Sequence, residues 1–177
     1  MKQSFTQLVN TRQSCRDFND QPLLPETVKE IAEQAMLSPS ACNSQPWKMH
    51  LITSERMIEE VKKCVQGHGH NKFTQKAKAF ICVSERASAL REDVEEKFSR
   101  NFFVKYDVGE LVAYITLTAE SMGVKSCIIG WVASKDLAKA LNLDSDERCN
   151  LVIALGYSDT PIRKKTRKKA QDVIIEL

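Results

Sequence analysis

Ser38-Pro39-Ser40-Ala41-Cys42-Asn43-Ser44-Gln45-Pro46 is followed at once by Trp47-Lys48-Met49-His50-Leu51-Ile52-Thr53. The first segment is small and polar with two prolines, a loop by every local rule. The second is apolar at most positions and reads as a strand, Trp47 to Thr53. Before the loop comes a helix. Pro25 suits its first turn, and Val28, Ile31, Ala32, Ala35 and Met36 recur at i, i+3, i+4, i+7 and i+8. It must stop before Pro39, which disfavours helical geometry at Ser38. Helix, polar loop and strand set the pattern for the chain on either side.

Upstream, Ser4 can cap a short helix whose apolar face is Phe5, Leu8 and Val9, running into Arg12. Downstream, Ser54 caps a helix that carries Met57, Ile58, Val61, Cys64 and Val65 inward, and Ala79 to Val83 (AFICV) is a wholly apolar strand. Residues 86–98 are charged, with a thin stripe of Leu90, Val94 and Phe98, and predict a surface helix or a mobile excursion. Asp107 to Met122 is the strongest helix, with apolar residues on more than one face. Asp107 suits its positive end and Gly123 can terminate it. A strand or turn follows at Ser126–Val132, then a helix capped by Ser134 with Leu137, Ala138 and Leu141 inward, then a core strand at Leu151–Tyr157. Val173–Leu177 (VIIEL) is expected to form a last short strand. Helices alternate with strands, which predicts an α/β or α+β domain layered around one mostly antiparallel or mixed sheet. No repeat or linker divides residues 1–177, so one domain is expected.

Composition agrees and narrows the class. Hydrophobic residues make up 42% and Gly and Pro number only 6 and 5, which excludes collagen-like, low-complexity and wholly disordered chains. No apolar stretch approaches the roughly 18 residues a membrane span needs, and the N-terminus has no signal-peptide core, so a soluble cytoplasmic protein is expected. The six cysteines (15, 42, 64, 82, 127, 149) show no CxxC and no zinc spacing, and read as small buried residues in a reduced compartment. His68 and His70 have no nearby Cys, Asp or Glu to complete a metal site. Of the 26 basic residues, six lie in one run, Arg163 to Lys169 (RKKTRKK); without them 20 basic residues face 23 acidic ones. The run is therefore the feature that needs a reason.

Four elements could carry chemistry. Arg12 and Arg16 are four apart around Ser14, and Lys165 and Arg167 two apart, so each pair can converge on a phosphate dianion. The central loop offers Ser40, Asn43, Ser44 and Gln45, and Gly130 ends the apolar run Cys127-Ile128-Ile129, as glycine does where a backbone approaches something flat. Each also has a plainer reading: solvated charges, a polar turn with Trp47 anchored in the core, and a simple strand end.

Taken in order, these elements resemble the nitroreductase family of flavin mononucleotide (FMN) enzymes. Its Arg-Arg-Ser-x-Arg-x-Phe opening is matched by Arg12 to Phe18, and its Pro-Ser-x-x-Asn-x-Gln-Pro-Trp loop, without a gap, by Pro39 to Trp47. Its Asp-led helix ending in Gly-x-Gly-x-Cys-x-Ile-Gly is matched by Asp107 to Gly130, its Gly-Tyr strand end by Gly156-Tyr157, and its Lys-x-Arg segment by Lys165-Thr166-Arg167. Departures are Gln13 for a usual basic residue, Ile129 for a Glu found in some members, Ala113-Tyr114 for a frequent Gln-Asn pair, and Lys125 for a glycine.

The resemblance implies a three-layer α/β/α sandwich around a mixed, mostly antiparallel sheet. It implies a homodimer with FMN at the subunit interface. Arg12, Gln13, Ser14, Arg16, Lys165 and Arg167 would hold the phosphate and ribityl chain. Pro39, Ser40, Ala41 and Asn43 would contact the flavin of the partner, and backbone groups at Ile128, Ile129 and Gly130 would line the ring edge. Asn71 is the candidate for a further ring contact, with His70 fitting nearly as well. The implied activity passes electrons from NADH or NADPH through the flavin to a nitroaromatic, quinone or similar small acceptor. Arg16 would be the electrostatic stabiliser and no side chain a nucleophile. The excursion at 86–106 would cover the pocket, and the last strand would suit the partner's sheet edge. No nucleic-acid or membrane partner is expected. The rival readings are a flavin-binding member without NAD(P)H turnover, and a nucleic-acid or anion-binding module built on the basic run.

Overall fold

In a computed structural model, four strands form one sheet: β1 (Trp47–Ile52), β2 (Ala79–Glu85), β3 (Lys125–Ile129) and β4 (Arg148–Gly156). The structure describes residues 4–177, the side chain of His68 excepted. The strand order is β1-β2-β4-β3 and every neighbouring pair is antiparallel. The one parallel feature among the described residues is an isolated bridge between Ser14 and Ser126. A bulge between Val83 and Ser84 shifts the β2–β4 register.

Both faces of the sheet are covered, which is why β2 is apolar at successive positions. Ala79, Ile81 and Val83 of β2, with Ile153 and Leu155 of β4, point to one core. The helices over it are α2 (Pro25–Ala35) and α5 (Val104–Ser121). Phe80 and Cys82, with Val152 and Ala154, point to the other core, under α3 (Glu55–Val65) and α6 (Ser134–Ala140). The result is an α+β fold in three layers, α/β/α. The first helix, α1 (Phe5–Thr11), lies on the flank of α5, and a single turn, α4 (Glu92–Glu95), interrupts the excursion between β2 and α5. No helix among the described residues is long and apolar enough to cross a membrane.

Several boundaries differ from the sequence reading. Ser4 caps α1 through a reciprocal capping box with Gln7, but Phe5 and Val9 face outward instead of into a core. Ser54 sits at the cap of α3 without a side-chain bond, and Ser134 is the first residue of α6, capped by Ala133. The helix α5 starts at Val104, so Asp107 lies buried inside it. Val173–Leu177 forms no strand: it follows a 3₁₀ turn at Ala170–Asp172 and stays exposed. Five of the six cysteines are buried and Cys42 is exposed. Burial pushes the thiols of Cys64 and Cys127 up, away from reactivity.

The N-terminal segment after α1 is fastened to the sheet at three points. Cys15 donates its N–H to Ser126 O (2.8 Å), and Asn19 donates to Tyr157 O (2.8 Å). Between them the buried Phe18 ring lies across Gly156, where an added Cβ would come within 2.9 Å of the ring. Glycine is needed there for close approach, and that approach fixes where Arg12, Ser14 and Arg16 stand.

Candidate active site

The fastened N-terminal segment meets the C-terminal basic run in a concave basket of about 290 Å³. Arg12, Gln13, Ser14 and Arg16 line it from one side, and Arg163, Lys164, Lys165, Thr166 and Arg167 from the other. Gln13 joins the two. Its Oε1 accepts from the backbone N–H and the Nε of Arg163 (3.1 and 3.2 Å), and its Nε2 donates to Pro161 O (3.2 Å). Arg163 Nη2 also donates to Ser14 O at 2.7 Å, and Lys165 donates to Arg12 O. The basic run is thus folded back against Arg12–Ser14, with Arg163 and Lys165 committed to this contact.

Six cationic side chains line the basket and no carboxylate does. None of the six takes part in an ion pair among the described residues. Glu120, whose charge reaches Lys165, is itself held by Lys125 at 2.9 Å. Burial first, and then the guanidinium groups of Arg12 and Arg167, pull the Lys165 ammonium below the usual lysine range. An anion placed among these groups relieves that crowding, and convergent Arg, Lys and Ser donors are what a phosphate dianion accepts from.

Beside the basket runs an apolar trough of about 600 Å³, lined by Val9, Val112, Ala113, Leu117 and Ile128 with Gly109 and Thr116 of α5. Arg12, Lys165 and Arg167 line both cavities, so the two share a wall. Ser126 O faces away from β4 to receive the Cys15 N–H. Backbone groups alternate sides along a strand, so the N–H and C=O of Ile128 face the same outer edge. The Ile129 side chain is buried and, by the same alternation, its backbone groups face β4, where it pairs with Val152. A phosphate pocket opening onto an apolar slot with backbone donors along one edge suits a flat aromatic ring carried on a phosphorylated chain.

The loop after α2 is strained and short of partners. Cys42, Asn43 and Gln45 all have positive φ (52°, 51° and 45°), a conformation that costs about 1 kcal/mol or more for a non-glycine residue. Ser40 Oγ accepts from Gln45 N–H (3.0 Å), and Gln45 Nε2 donates to the Asn43 carbonyl and side chain (both 3.2 Å). The anchor is Asp107 of α5, whose Oδ1 accepts the Ala41 N–H at 3.1 Å. Asp107 Oδ2 and Ser44 Oγ are buried with no partner among the described residues.

A model of the nitroreductase family matches residues 9–157. The chain belongs to the nitroreductase family. Among its relatives, the oxygen-insensitive NADPH nitroreductase of Helicobacter pylori strain J99 is 28% identical over 95% of this chain and 94% of that one. The 4-nitrobenzoate reductase of Pseudomonas putida is 24% identical over 88% and 86%. Solved structures share the fold. A nitroreductase family protein from Streptococcus pneumoniae superposes with a TM-score of 0.85 at 21% identity, covering 98% of this chain and 100% of that one. A protein from Exiguobacterium sibiricum, described as a nitroreductase in complex with FMN, gives 0.86 at 19% identity with full coverage of both chains.

In this member of the family, the structure gathers the residues expected at a phosphate, Arg12, Gln13, Ser14, Arg16, Lys165 and Arg167, into one basket. Ile128 lies in the adjoining trough, and Gly130 follows it at the exposed end of β3. Pro39, Ser40, Ala41 and Asn43 belong to the anchored loop and do not line the basket or trough of their own chain. Asn71 is also apart: its amide donates to Val65 O (2.9 Å) and Trp131 O (3.3 Å), tying the start of a 3₁₀ turn to the segment beyond β3. His70 packs against Trp131 with ring centroids 4.4 Å apart and ring planes tilted by 46°.

Three residues that sequence reasoning passed over are Arg163, Lys164 and Asp107. For the first two the signal was present in the RKKTRKK run, but only its Lys-x-Arg portion matched the family pattern. For Asp107 there was none, because a helix-start acid looks the same whether or not it holds a distant loop.

Proposed function

We propose that this nitroreductase family chain is an FMN-dependent oxidoreductase, a single cofactor-binding domain that works in the cytoplasm as a homodimer. It takes electrons from NADH or NADPH and gives them to a nitroaromatic, quinone or similar small acceptor. The observation that carries the reading is the shared wall of Arg12, Lys165 and Arg167 between a carboxylate-free cationic basket and an apolar trough. FMN, when bound, supplies two-electron transfer between nicotinamide and acceptor. Arg12, Ser14, Lys165 and Arg167, with Gln13, hold its phosphate end. Backbone groups of Ile128 and Gly130 face the ring edge, with Ile129 between them paired to β4, and Arg16 places positive charge near the ring to favour its reduced form. No side chain acts as a nucleophile.

The loop Pro39–Asn43 contributes to the cofactor site of the second copy in this reading. Its positive-φ residues Cys42 and Asn43, with the unpartnered Ser44 Oγ and Asp107 Oδ2 beside it, are features that a neighbouring ligand or subunit would complete. Asn71, with both amide hydrogens spent on backbone, would reach the ring only through its Oδ1; His70 is the second candidate.

The test is a visible absorbance spectrum of purified protein, before and after anaerobic addition of NADH or NADPH. Flavin bands that bleach establish a flavin reductase, and an acceptor screen follows. Bands that persist identify a flavin protein without nicotinamide turnover. A colourless protein that takes up no added FMN overturns the reading.

A further inference from the structure

The basket carries more positive charge than one flavin phosphate can balance; the argument from this surplus rests on the flavin reading above. A phosphate monoester brings about −2 at neutral pH, against six cationic side chains and no lining carboxylate. About four positive charges are left without a counter-ion. The cations also divide in position. Arg12, Lys165 and Arg167 line the trough as well as the basket, and so stand on the side of the flavin ring. Arg16, Arg163 and Lys164 belong to the basket alone, and of these three the flavin reading above already uses Arg16.

Arg163 and Lys164 differ in how they are held. The Arg163 guanidinium is fixed by Gln13 Oε1 and Ser14 O, which pre-organises its remaining N–H groups without neutralising its charge. Lys164 is exposed and donates to nothing among the described residues, as a cation does when it is free to meet a ligand arriving from solvent. Arginine and lysine side by side, one held and one exposed, are a phosphate-binding pair.

We propose that Arg163 and Lys164 form a second anion subsite beside the flavin phosphate, which takes the 2′-phosphate of NADPH and makes NADPH, not NADH, the preferred electron donor. The two dinucleotides share their nicotinamide and diphosphate and differ in this phosphate alone. A site that discriminates between them must therefore do so through cations not already used by the flavin. Arg163 and Lys164 are those cations.

The experiment is calorimetric titration of the FMN-loaded protein with adenosine 2′,5′-bisphosphate and, separately, with ADP, which carries the diphosphate common to both donors. The bisphosphate is expected to bind about tenfold more tightly than ADP, the gain of one charge-assisted contact. Lys164→Gln should weaken the bisphosphate about fivefold and ADP less than twofold, and should lower the NADPH-to-NADH ratio of kcat/KM by a similar factor. Equal affinity for the two ligands, or an equal loss of both in the variant, overturns the proposal. Flavin absorbance is recorded before titration. Protein that holds no FMN overturns the flavin reading itself, whereas FMN-loaded protein without the preference overturns the subsite alone.

Discussion

Asp107 spends one carboxylate oxygen on the Ala41 amide and leaves the other buried without a partner. A buried carboxylate with one hydrogen bond is a poor stabiliser, because its desolvation outweighs what a single contact returns. Its position makes sense if it serves the loop. Cys42, Asn43 and Gln45 are held at positive φ, and a loop so strained relaxes unless something outside it fixes an end. Asp107→Ala should therefore leave global unfolding within about 1 kcal/mol of the parent, since the lost hydrogen bond and the removed orphan oxygen offset each other. Hydrogen exchange in the 40–45 segment should nonetheless quicken about tenfold or more. Mass spectrometry of the exchanged protein reads this without any cofactor, and Asp107→Asn, which keeps the acceptor, should restore most of the protection. Unchanged exchange in the alanine variant would show that the loop does not depend on this anchor.

At the scale of elements, the site is made by joining the two ends of the chain. Gln13 replaces a usual basic residue of the nitroreductase family, and its side chain holds Arg163 in the basket instead. Residue 13 thereby reaches across 150 positions to fasten the run that carries Lys165 and Arg167. Gln13→Leu removes three hydrogen bonds that fasten the basic run. The FMN dissociation constant, read by fluorescence quenching, should rise about tenfold or more. The 161–169 segment should also become easier to cleave with trypsin. If both readouts stay at the parent's level, the run is held by other contacts.

Elements were legible where one period dominated. The i, i+3, i+4 pattern marks α2 and α3 and the unbroken AFICV marks β2, because burial on one helical face or on both sheet faces leaves that trace. Boundaries were lost where tertiary contact decides them. Strand β4 begins at Arg148, three residues before the apolar run, because Cys149 is buried between the outward Arg148 and Asn150. Strand β2 runs on to Glu85 because the buried Ser84 bonds His50 of β1 at 2.9 Å. In the site, both cationic pairs were legible from charge and spacing, while the Gln13–Arg163 union joins residues that no local window contains.

The whole molecule leaves two kinds of surface that its own chain does not cover. Phe5 and Val9 of α1, Tyr106 and Tyr114 of α5, and Ile128 of β3 are exposed large hydrophobics. The tail Val173-Ile174-Ile175 with Leu177 is likewise exposed, with Ile175 at 82%. β-Branched residues favour strands, yet a strand needs a neighbour, and the outer edge of β1 is unpaired among the described residues. An exposed apolar tail and an open sheet edge on one chain are complementary between two copies, the self-matching surface of a closed dimer. Burying four such side chains only in part is worth about 3 kcal/mol, or about a hundredfold in association. Deleting residues 173–177 should therefore raise the dimer dissociation constant by that order, measured by sedimentation equilibrium. In the proposed homodimer, where the Pro39–Asn43 loop would complete the site of the other copy, FMN retention should fall in step as the protein is diluted. A truncated chain that dimerises as tightly as the parent would place the interface wholly on α1 and α5. One that falls to the mass of a monomer and still holds its flavin would show that each chain completes its own site.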